Sequence, residues 1–169
     1  MRKPYNILVL CTGNSARSII GEALFNTMGA GRFQAYSAGS HPSGKVNPYA
    51  IEQVQALGYP VDHLHSKSWN EFAQPGAPEM DFVVTVCDNA AGEACPFWPG
   101  HPVTAHWGFP DPAAVQGTDD EKRAAFAQTL RQMRYRVQLF LSLPLETLDR
   151  MALENQMRAI GREALKADS

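Results

Sequence analysis

One stretch near the amino terminus, residues 6–18, most constrains what this chain can fold into. It reads NILVLCTGNSARS. Its apolar part, residues 7–10, shows no alternation with polar residues, which is typical of a strand buried on both faces of a parallel sheet. Cys11 ends that run, and a short polar loop leads directly into a helical pattern that begins at Arg17. A cysteine is therefore expected at the end of a buried strand, facing the amino terminus of a helix.

The loop between this strand and helix has the composition and length of an oxyanion site. Its residues are Thr12, Gly13, Asn14, Ser15, Ala16 and Arg17. Five residues separate Cys11 from Arg17, so the loop can curl until its N–H groups and the guanidinium surround a tetrahedral anion above the sulfur. The helix amino terminus stabilises a thiolate, and the Ser18 hydroxyl can hydrogen-bond to it. The spacing predicts a nucleophile aimed at a bound oxyanion, without deciding whether the adduct is hydrolysed or reduced.

The rest of the chain alternates strand and helix patterns. Further strands are predicted at residues 33–37, 82–87 and 102–105, and helices at residues 17–28, 47–57, 66–72, 119–141 and 145–167. This alternation predicts a single-domain, doubly wound α/β fold with a four-stranded parallel sheet, helices on both faces and an extra C-terminal helix. Residues 1–143 are expected to form the domain proper, and residues 144–169 a helical extension of it. The site should lie at the carboxyl ends of the strands, where Cys11 and Cys87 are both predicted.

Composition and charge exclude several classes of function. The chain has 169 residues and a formal net charge of −2 without a long run of like charges, which argues against a nucleic-acid binder. No apolar segment approaches the roughly 20 residues of a membrane span, and the apolar run near the amino terminus is too short for a signal peptide. We therefore expect a cytoplasmic protein without a membrane partner. The histidines lack metal-ligand spacing with the three cysteines, so no metal is expected.

Two groups of motifs carry a resemblance to a known family. Cys11 and Arg17-Ser18 directly after the first strand, together with Asp111-Pro112, resemble the low-molecular-weight protein tyrosine phosphatases. The pair Cys87 and Cys95, together with the segment HWGFPDP around Asp111, resembles more closely the thioredoxin-coupled arsenate reductases. These reductases share the flavodoxin-like fold of the phosphatases. The residues that carry this second likeness are Cys87, Cys95 and residues 106–112, with further similarity at residues 37–39 and 47–48.

The resemblance implies a redox function in arsenic detoxification. Cys11 would attack arsenate to form a covalent adduct while Asp111 protonates the leaving oxygen. Cys87 would then attack Cys11, arsenite would leave, and Cys95 would attack Cys87 to give a Cys87–Cys95 disulfide. An external thiol reductant, thioredoxin or glutaredoxin with glutathione, would reopen that disulfide. No bound cofactor is expected, and sulfate or phosphate would mimic arsenate in the loop.

The resemblance also marks residues that support the loop. Some reductases of this type hold a monovalent cation with residues that match Asn14, Glu22 and Ser37 and with an acidic residue at the position of Lys67. We expect the Lys67 ammonium to take the place of that cation and to steady Asn14. The alternative is an ordinary solvated lysine on the surface.

The sequence leaves two other functions open. A tyrosine phosphatase would need Cys11, Arg17 and Asp111 but neither Cys87 nor Cys95, and a reductase of this fold can retain phosphatase activity. A non-enzymatic redox sensor would use Cys87 and Cys95 and would depend little on Arg17. The oligomeric state is also open, with a monomer favoured, and the C-terminal helix is expected to pack on the domain, dimerise or dock a redox partner.

Overall fold

A parallel sheet organises the molecule. The computed structural model describes residues 3–87, 98 and 101–163. Within them the strands are β1 (Tyr5–Cys11), β2 (Phe33–Gly39), β3 (Phe82–Thr85) and β4 (Val103–His106). Every neighbouring pair is parallel, in the order β2-β1-β3-β4. The predicted four-stranded parallel sheet is confirmed.

Four α-helices lie in the described residues, and the first three begin close to where the sequence predicts them. They are α1 (Arg17–Met28), α2 (Pro48–Ala56), α3 (Asp119–Leu141) and α4 (Arg150–Arg162), with short 3-10 helices at Trp69–Phe72 and Pro112–Ala114. The Asn47 side chain caps α2, and Thr118 and Glu121 form a reciprocal capping box on α3, which explains these sharp starts. No helix in the described part of the chain is both long and apolar enough to cross a bilayer.

The sheet buries side chains on both faces. Because side chains alternate along a strand, Ile7 and Val9 of β1 face the main hydrophobic cluster, and Leu8 and Leu10 face a second one. All four are fully buried. The main cluster draws on α1, α3 and α4, and the second on the 3-10 helix at Trp69–Phe72. This double coverage is why the strand reads as a continuous apolar run.

The carboxyl ends of the strands place the two cysteines at one edge. Cys11 ends β1 and lies opposite Gly39 at the end of β2. The strand β3 ends at Thr85, not at Cys87 as predicted, and its pairing with β4 ends at the same point, where Thr85 lies opposite His106. Cys87 therefore follows the strand by two residues.

The C-terminal helix is shorter than predicted. The periodicity indicates residues 145–167, but the helix comprises Arg150–Arg162. Residues 144–148 form hydrogen-bonded turns instead. The Asp149 side chain then accepts from the Ala152 N–H at 2.8 Å, which fixes the start of the helix by N-capping.

This helix, α4, packs on the sheet. Three of its apolar residues join the main cluster, namely Leu153, Met157 and Ile160. The indole of Trp107 donates to the Met157 carbonyl at 2.9 Å, which ties the helix to the chain just beyond β4. Residues 164–167 of the predicted helix lie outside the described residues.

Candidate active site

The Cys11 sulfur lies at the floor of the loop that follows β1. It accepts a hydrogen bond from the Asn14 N–H at 3.2 Å and lies 2.9 Å from the Ser18 hydroxyl. Ser18 Oγ itself accepts from Asn14 Nδ2 at 2.8 Å, which leaves its own hydrogen for the sulfur. Only 4% of Cys11 is exposed. Two hydrogen-bond donors are thus aimed at a buried sulfur, which is the arrangement expected around a nucleophilic cysteine.

The peptide between Gly13 and Asn14 is oriented as an oxyanion site requires. The Gly13 carbonyl accepts from Ser66 Oγ at 2.8 Å and from the Ser43 N–H at 3.0 Å. Because the peptide unit is planar and trans, the Asn14 N–H points the opposite way, onto Cys11. Outward carbonyls and inward N–H groups give the loop a positive interior.

Two backbone positions let the loop lie this close to β2. Asn14 has a φ of +47°, in the left-handed region that asparagine tolerates better than most residues. Gly39 faces the loop so closely that a Cβ there would collide with the Thr12 carbonyl oxygen and lie 2.9 Å from the Asn14 nitrogen. The end of β2 therefore requires glycine.

The acid loop, residues 106–111, brings the predicted acid to the predicted cation. Arg17 Nη1 donates to the Phe109 carbonyl at 2.8 Å, and Nη2 lies 3.7 Å from Asp111 Oδ2. The other carboxylate oxygen accepts from the Ala113 N–H at 3.0 Å. The Asp111 side chain is 45% exposed, so its carboxyl group is accessible to solvent beside Arg17.

Cys87 lies beside the loop. Its sulfur is 3.4 Å from the Thr12 hydroxyl, and only 2% of the residue is exposed. Cys11 and Cys87 both carry free thiols. Cys95, the third predicted thiol, lies outside the described residues. Two predicted thiols are thus close to one oxyanion loop, and one loop residue, Thr12, contacts the second of them.

Glu22 on α1 is the centre of a buried polar cluster behind the loop. Ser37 Oγ donates to Glu22 Oε1 at 2.7 Å, and the Tyr59 hydroxyl donates to Oε2 at 3.0 Å. His63 Nε2 lies 3.3 Å from the same Oε2. Burial, and then the Glu22 carboxylate, raise the pKa of Tyr59 to about 12. The sequence marks Glu22 and Ser37, but Tyr59 and His63 have no spacing that relates them to Glu22.

Lys67 contacts the loop through Asn14. Its backbone N–H donates to Asn14 Oδ1 at 3.0 Å, and its ammonium lies 3.4 Å from the same oxygen. The ammonium also donates to the His65 carbonyl at 3.0 Å. Burial lowers the pKa of Lys67, and the carboxylates of Glu22 and Glu71 oppose that shift. Within the ranges that the structure describes, no three His, Cys, Asp or Glu side chains are grouped as metal ligands.

Arg136 on α3 is a residue of this region that the sequence gives no reason to single out. Its guanidinium donates to the Gly108 carbonyl of the acid loop at 2.8 Å and lies 4.7 Å from the centre of the Phe109 ring. Arginine on a long helix is usually exposed. Only the packing of α3 under the acid loop reveals that this one is buried.

Comparison with known proteins agrees with this geometry. Residues 6–156 match the low molecular weight phosphotyrosine protein phosphatase family. An arsenate reductase from Halalkalibacterium halodurans is 36% identical over 134 residues, which cover 79% of this chain and 93% of that protein. The crystal structure of an arsenate reductase from Archaeoglobus fulgidus is 25% identical, with a TM-score of 0.57 and coverage of 78% of this chain and 98% of that one.

The fold itself is shared with phosphatases. A low molecular weight protein tyrosine phosphatase from T. tengcongensis has a TM-score of 0.60 at 18% identity, covering 79% of this chain and 95% of that one. Its likeness concerns the fold alone, whereas the family match and the bacterial relative rest on sequence. The chain therefore belongs to the low molecular weight phosphotyrosine protein phosphatase family, and its relatives there include arsenate reductases.

Proposed function

We propose that this protein reduces arsenate to arsenite with electrons from its cysteine thiols. The observation that carries the proposal is the position of Cys87, whose sulfur lies 3.4 Å from the hydroxyl of the loop residue Thr12. Hydrolysis of an adduct on Cys11 needs one thiol, whereas a two-electron reduction needs a second thiol close to the first. The sequence likeness to an arsenate reductase supports the same choice.

In the first step the loop binds arsenate as a tetrahedral oxyanion. Its inward N–H groups and the Arg17 guanidinium bind the oxygens, and the Cys11 thiolate attacks arsenic. A sulfur–arsenic bond forms and an arsenic–oxygen bond breaks. Asp111 gives the departing oxygen its proton, so that it leaves as water.

In the second step arsenic gains two electrons. The Cys87 thiolate attacks the Cys11 sulfur, a disulfide bond forms, and the sulfur–arsenic bond breaks with its electron pair remaining on arsenic. Arsenic(V) becomes arsenic(III), which leaves as arsenite. Cys95 then attacks Cys87 and expels the Cys11 thiolate, which the Ser18 hydroxyl stabilises as a leaving group.

The product of this sequence is a Cys87–Cys95 disulfide, so each turnover requires an external dithiol. We assign that role to thioredoxin, because a cascade that ends on two protein cysteines is matched by a dithiol protein, and we place the reaction in the reducing cytoplasm. Glutaredoxin with glutathione is the other reductant to be tested.

We propose that the Lys67 ammonium replaces a bound monovalent cation beside the loop and stabilises the position of Asn14. Its ammonium lies 3.4 Å from Asn14 Oδ1, the oxygen that a bound monovalent cation would share. A second positive charge on that oxygen would meet electrostatic repulsion. The residues present here therefore do not fit a bound potassium ion, and the reaction is proposed to proceed without one.

The test is arsenate-dependent oxidation of NADPH by the full-length protein, supplied with thioredoxin and thioredoxin reductase or, separately, with glutaredoxin and glutathione. We expect turnover with thioredoxin. Cys87→Ser and Cys95→Ser should each stop multiple turnover, since either change interrupts the cascade.

The same variants distinguish the other functions. If both variants hydrolyse an aryl phosphate as fast as the wild type and no form consumes NADPH with arsenate, the protein is a phosphatase. If Arg17→Ala leaves the thiol oxidation of the protein unchanged and arsenate is never consumed, the protein is a redox sensor.

A further inference from the structure

We propose that Arg136 is a positioning residue that holds the acid loop, and through it Asp111, against the C-terminal helix. The proposal rests on the role of Asp111 as the proton donor in the proposed function. It gives α4 a part in the reaction, in addition to its part in the hydrophobic core.

The Arg136 guanidinium joins two segments that have no covalent link near the site. Nη1 donates to the Gly108 carbonyl of the acid loop at 2.8 Å. Nη2 donates to the carbonyls of Gly161 and Glu163, at the end of α4, at 3.2 and 2.8 Å. The last carbonyls of a helix lack partners within the helix and carry partial negative charge, so a cation is favoured there. One buried side chain thus caps α4 and holds the acid loop.

Burial makes this arrangement specific. Arg136 is only 4% exposed, so its charge depends on these carbonyls and on the face of the Phe109 ring, 4.7 Å away. Its Nε has no hydrogen-bond partner within the described residues. A guanidinium retained under these conditions, with carbonyls for partners, fixes the geometry of the segments that supply them.

The acid loop transmits that geometry to the proton donor. Phe109, whose ring lies over the guanidinium, also accepts the hydrogen bond from Arg17 through its carbonyl. The segment from Phe109 onward reads Phe-Pro-Asp-Pro. Each proline fixes its own φ and restricts the residue before it, so the segment has little freedom to absorb a displacement by bending. A shift at Gly108 or Phe109 is therefore passed on to Asp111.

The contacts of α4 with the same loop are close-packed. The Trp107 indole donates to the Met157 carbonyl at 2.9 Å. Gly161 approaches so closely that a Cβ there would collide with the His106 carbonyl oxygen and lie 2.9 Å from the Trp107 ring. Arg136 completes this contact one residue farther along the acid loop, at Gly108.

The experiment is a single turnover by reduced full-length protein mixed with arsenate in the absence of reductant. Arsenite release is followed at several arsenate concentrations, which separates the maximal rate from the half-saturating concentration. The proteins compared are wild type, Arg136→Met, Arg136→Lys, Asp111→Asn, the double variant Asp111→Asn with Arg136→Met, and Arg134→Met as the control from the exposed side of the same helix.

A misplaced general acid lowers the chemical step without weakening anion binding. Arg136→Met should therefore reduce the maximal rate about tenfold to a hundredfold and leave the half-saturating arsenate concentration within about twofold. The double variant should be no slower than Asp111→Asn, because the displaced group is already absent. Arg136→Lys, which keeps the charge but loses the fork of donors, should recover part of the rate, and Arg134→Met should match the wild type.

Several results would overturn the proposal. They are losses that multiply in the double variant, a rise in the half-saturating concentration alone, and a wild-type rate in Arg136→Lys. The last result decides the matter if Arg136→Met does not fold. A wild-type rate in Asp111→Asn removes the proposed acid and the inference together. A slow Asp111→Asn beside a fast Arg136→Met removes only the role of Arg136.

Discussion

Replacing Ser18 by alanine should make Cys11 less reactive. In the structure the Ser18 hydroxyl lies 2.9 Å from the Cys11 sulfur and accepts from Asn14 Nδ2 at 2.8 Å. Ser18→Ala removes one of the two donors on the sulfur and leaves the Asn14 N–H as the other. Because Ser18 is fully buried, water cannot replace the lost donor without rearrangement of the loop.

The magnitude follows from the charge on the acceptor. A hydrogen bond to a charged group contributes about 1.5–3 kcal/mol, and each 1.4 kcal/mol is a factor of ten. The rate at which Cys11 reacts as a nucleophile should therefore fall about 10-fold to 150-fold. Asn14 Nδ2 also loses its acceptor, so a smaller loss of folding stability should accompany the change.

The assay is the rate of alkylation of Cys11 by iodoacetamide, measured at one fixed pH for every protein. Cys87 and Cys95 are replaced by serine in every protein, so that Cys11 alone is measured. Ser43→Ala is the control, because it removes a hydroxyl from an exposed residue next to the loop. Equal alkylation rates for Ser18→Ala and its parent would refute the hydrogen-bond argument.

Three further changes test the surroundings of the loop. Gly39→Ala should destabilise the protein by about 1–3 kcal/mol in urea unfolding, because its Cβ meets the Thr12 carbonyl, whereas Gly13→Ala, whose Cβ has room, should cost far less. Wild-type turnover should be the same in potassium and choline salts. Lys67→Asp should become dependent on potassium, unlike the exposed Lys45→Asp. Because the pKa of Tyr59 is raised from 10.0 to about 12, its contribution to stability is complete below pH 10 and is lost towards pH 12. The melting-temperature deficit of Tyr59→Phe should therefore shrink across that interval; a constant deficit contradicts the assignment.

The sequence predicts the part of the site that is local along the chain. The spacing from Cys11 to Ser18 is enough to place a thiol, an oxyanion loop and a helix start, because each follows from neighbouring residues. Arg136 could not be predicted, since its partners are carbonyls 28, 25 and 27 residues away and carbonyls carry no side-chain signature. The sequence pattern places the start of α4 too early, because the apolar residues continue through residues 145–148. The helix begins only after Asp149, whose side chain caps its amino terminus.

The burial of the two described thiols also affects how the oxidised protein would be reduced. Cys11 is 4% and Cys87 is 2% exposed, so both residues are poorly accessible to a protein-sized reductant. In the proposed cascade, electrons from the external reductant therefore enter at a different thiol from the one that attacks the substrate. Binding of the oxyanion and reduction of the oxidised protein would therefore take place at different positions on the molecule. Phosphate would compete with arsenate for the loop. A high phosphate concentration would therefore slow arsenate binding without slowing reduction of the oxidised protein.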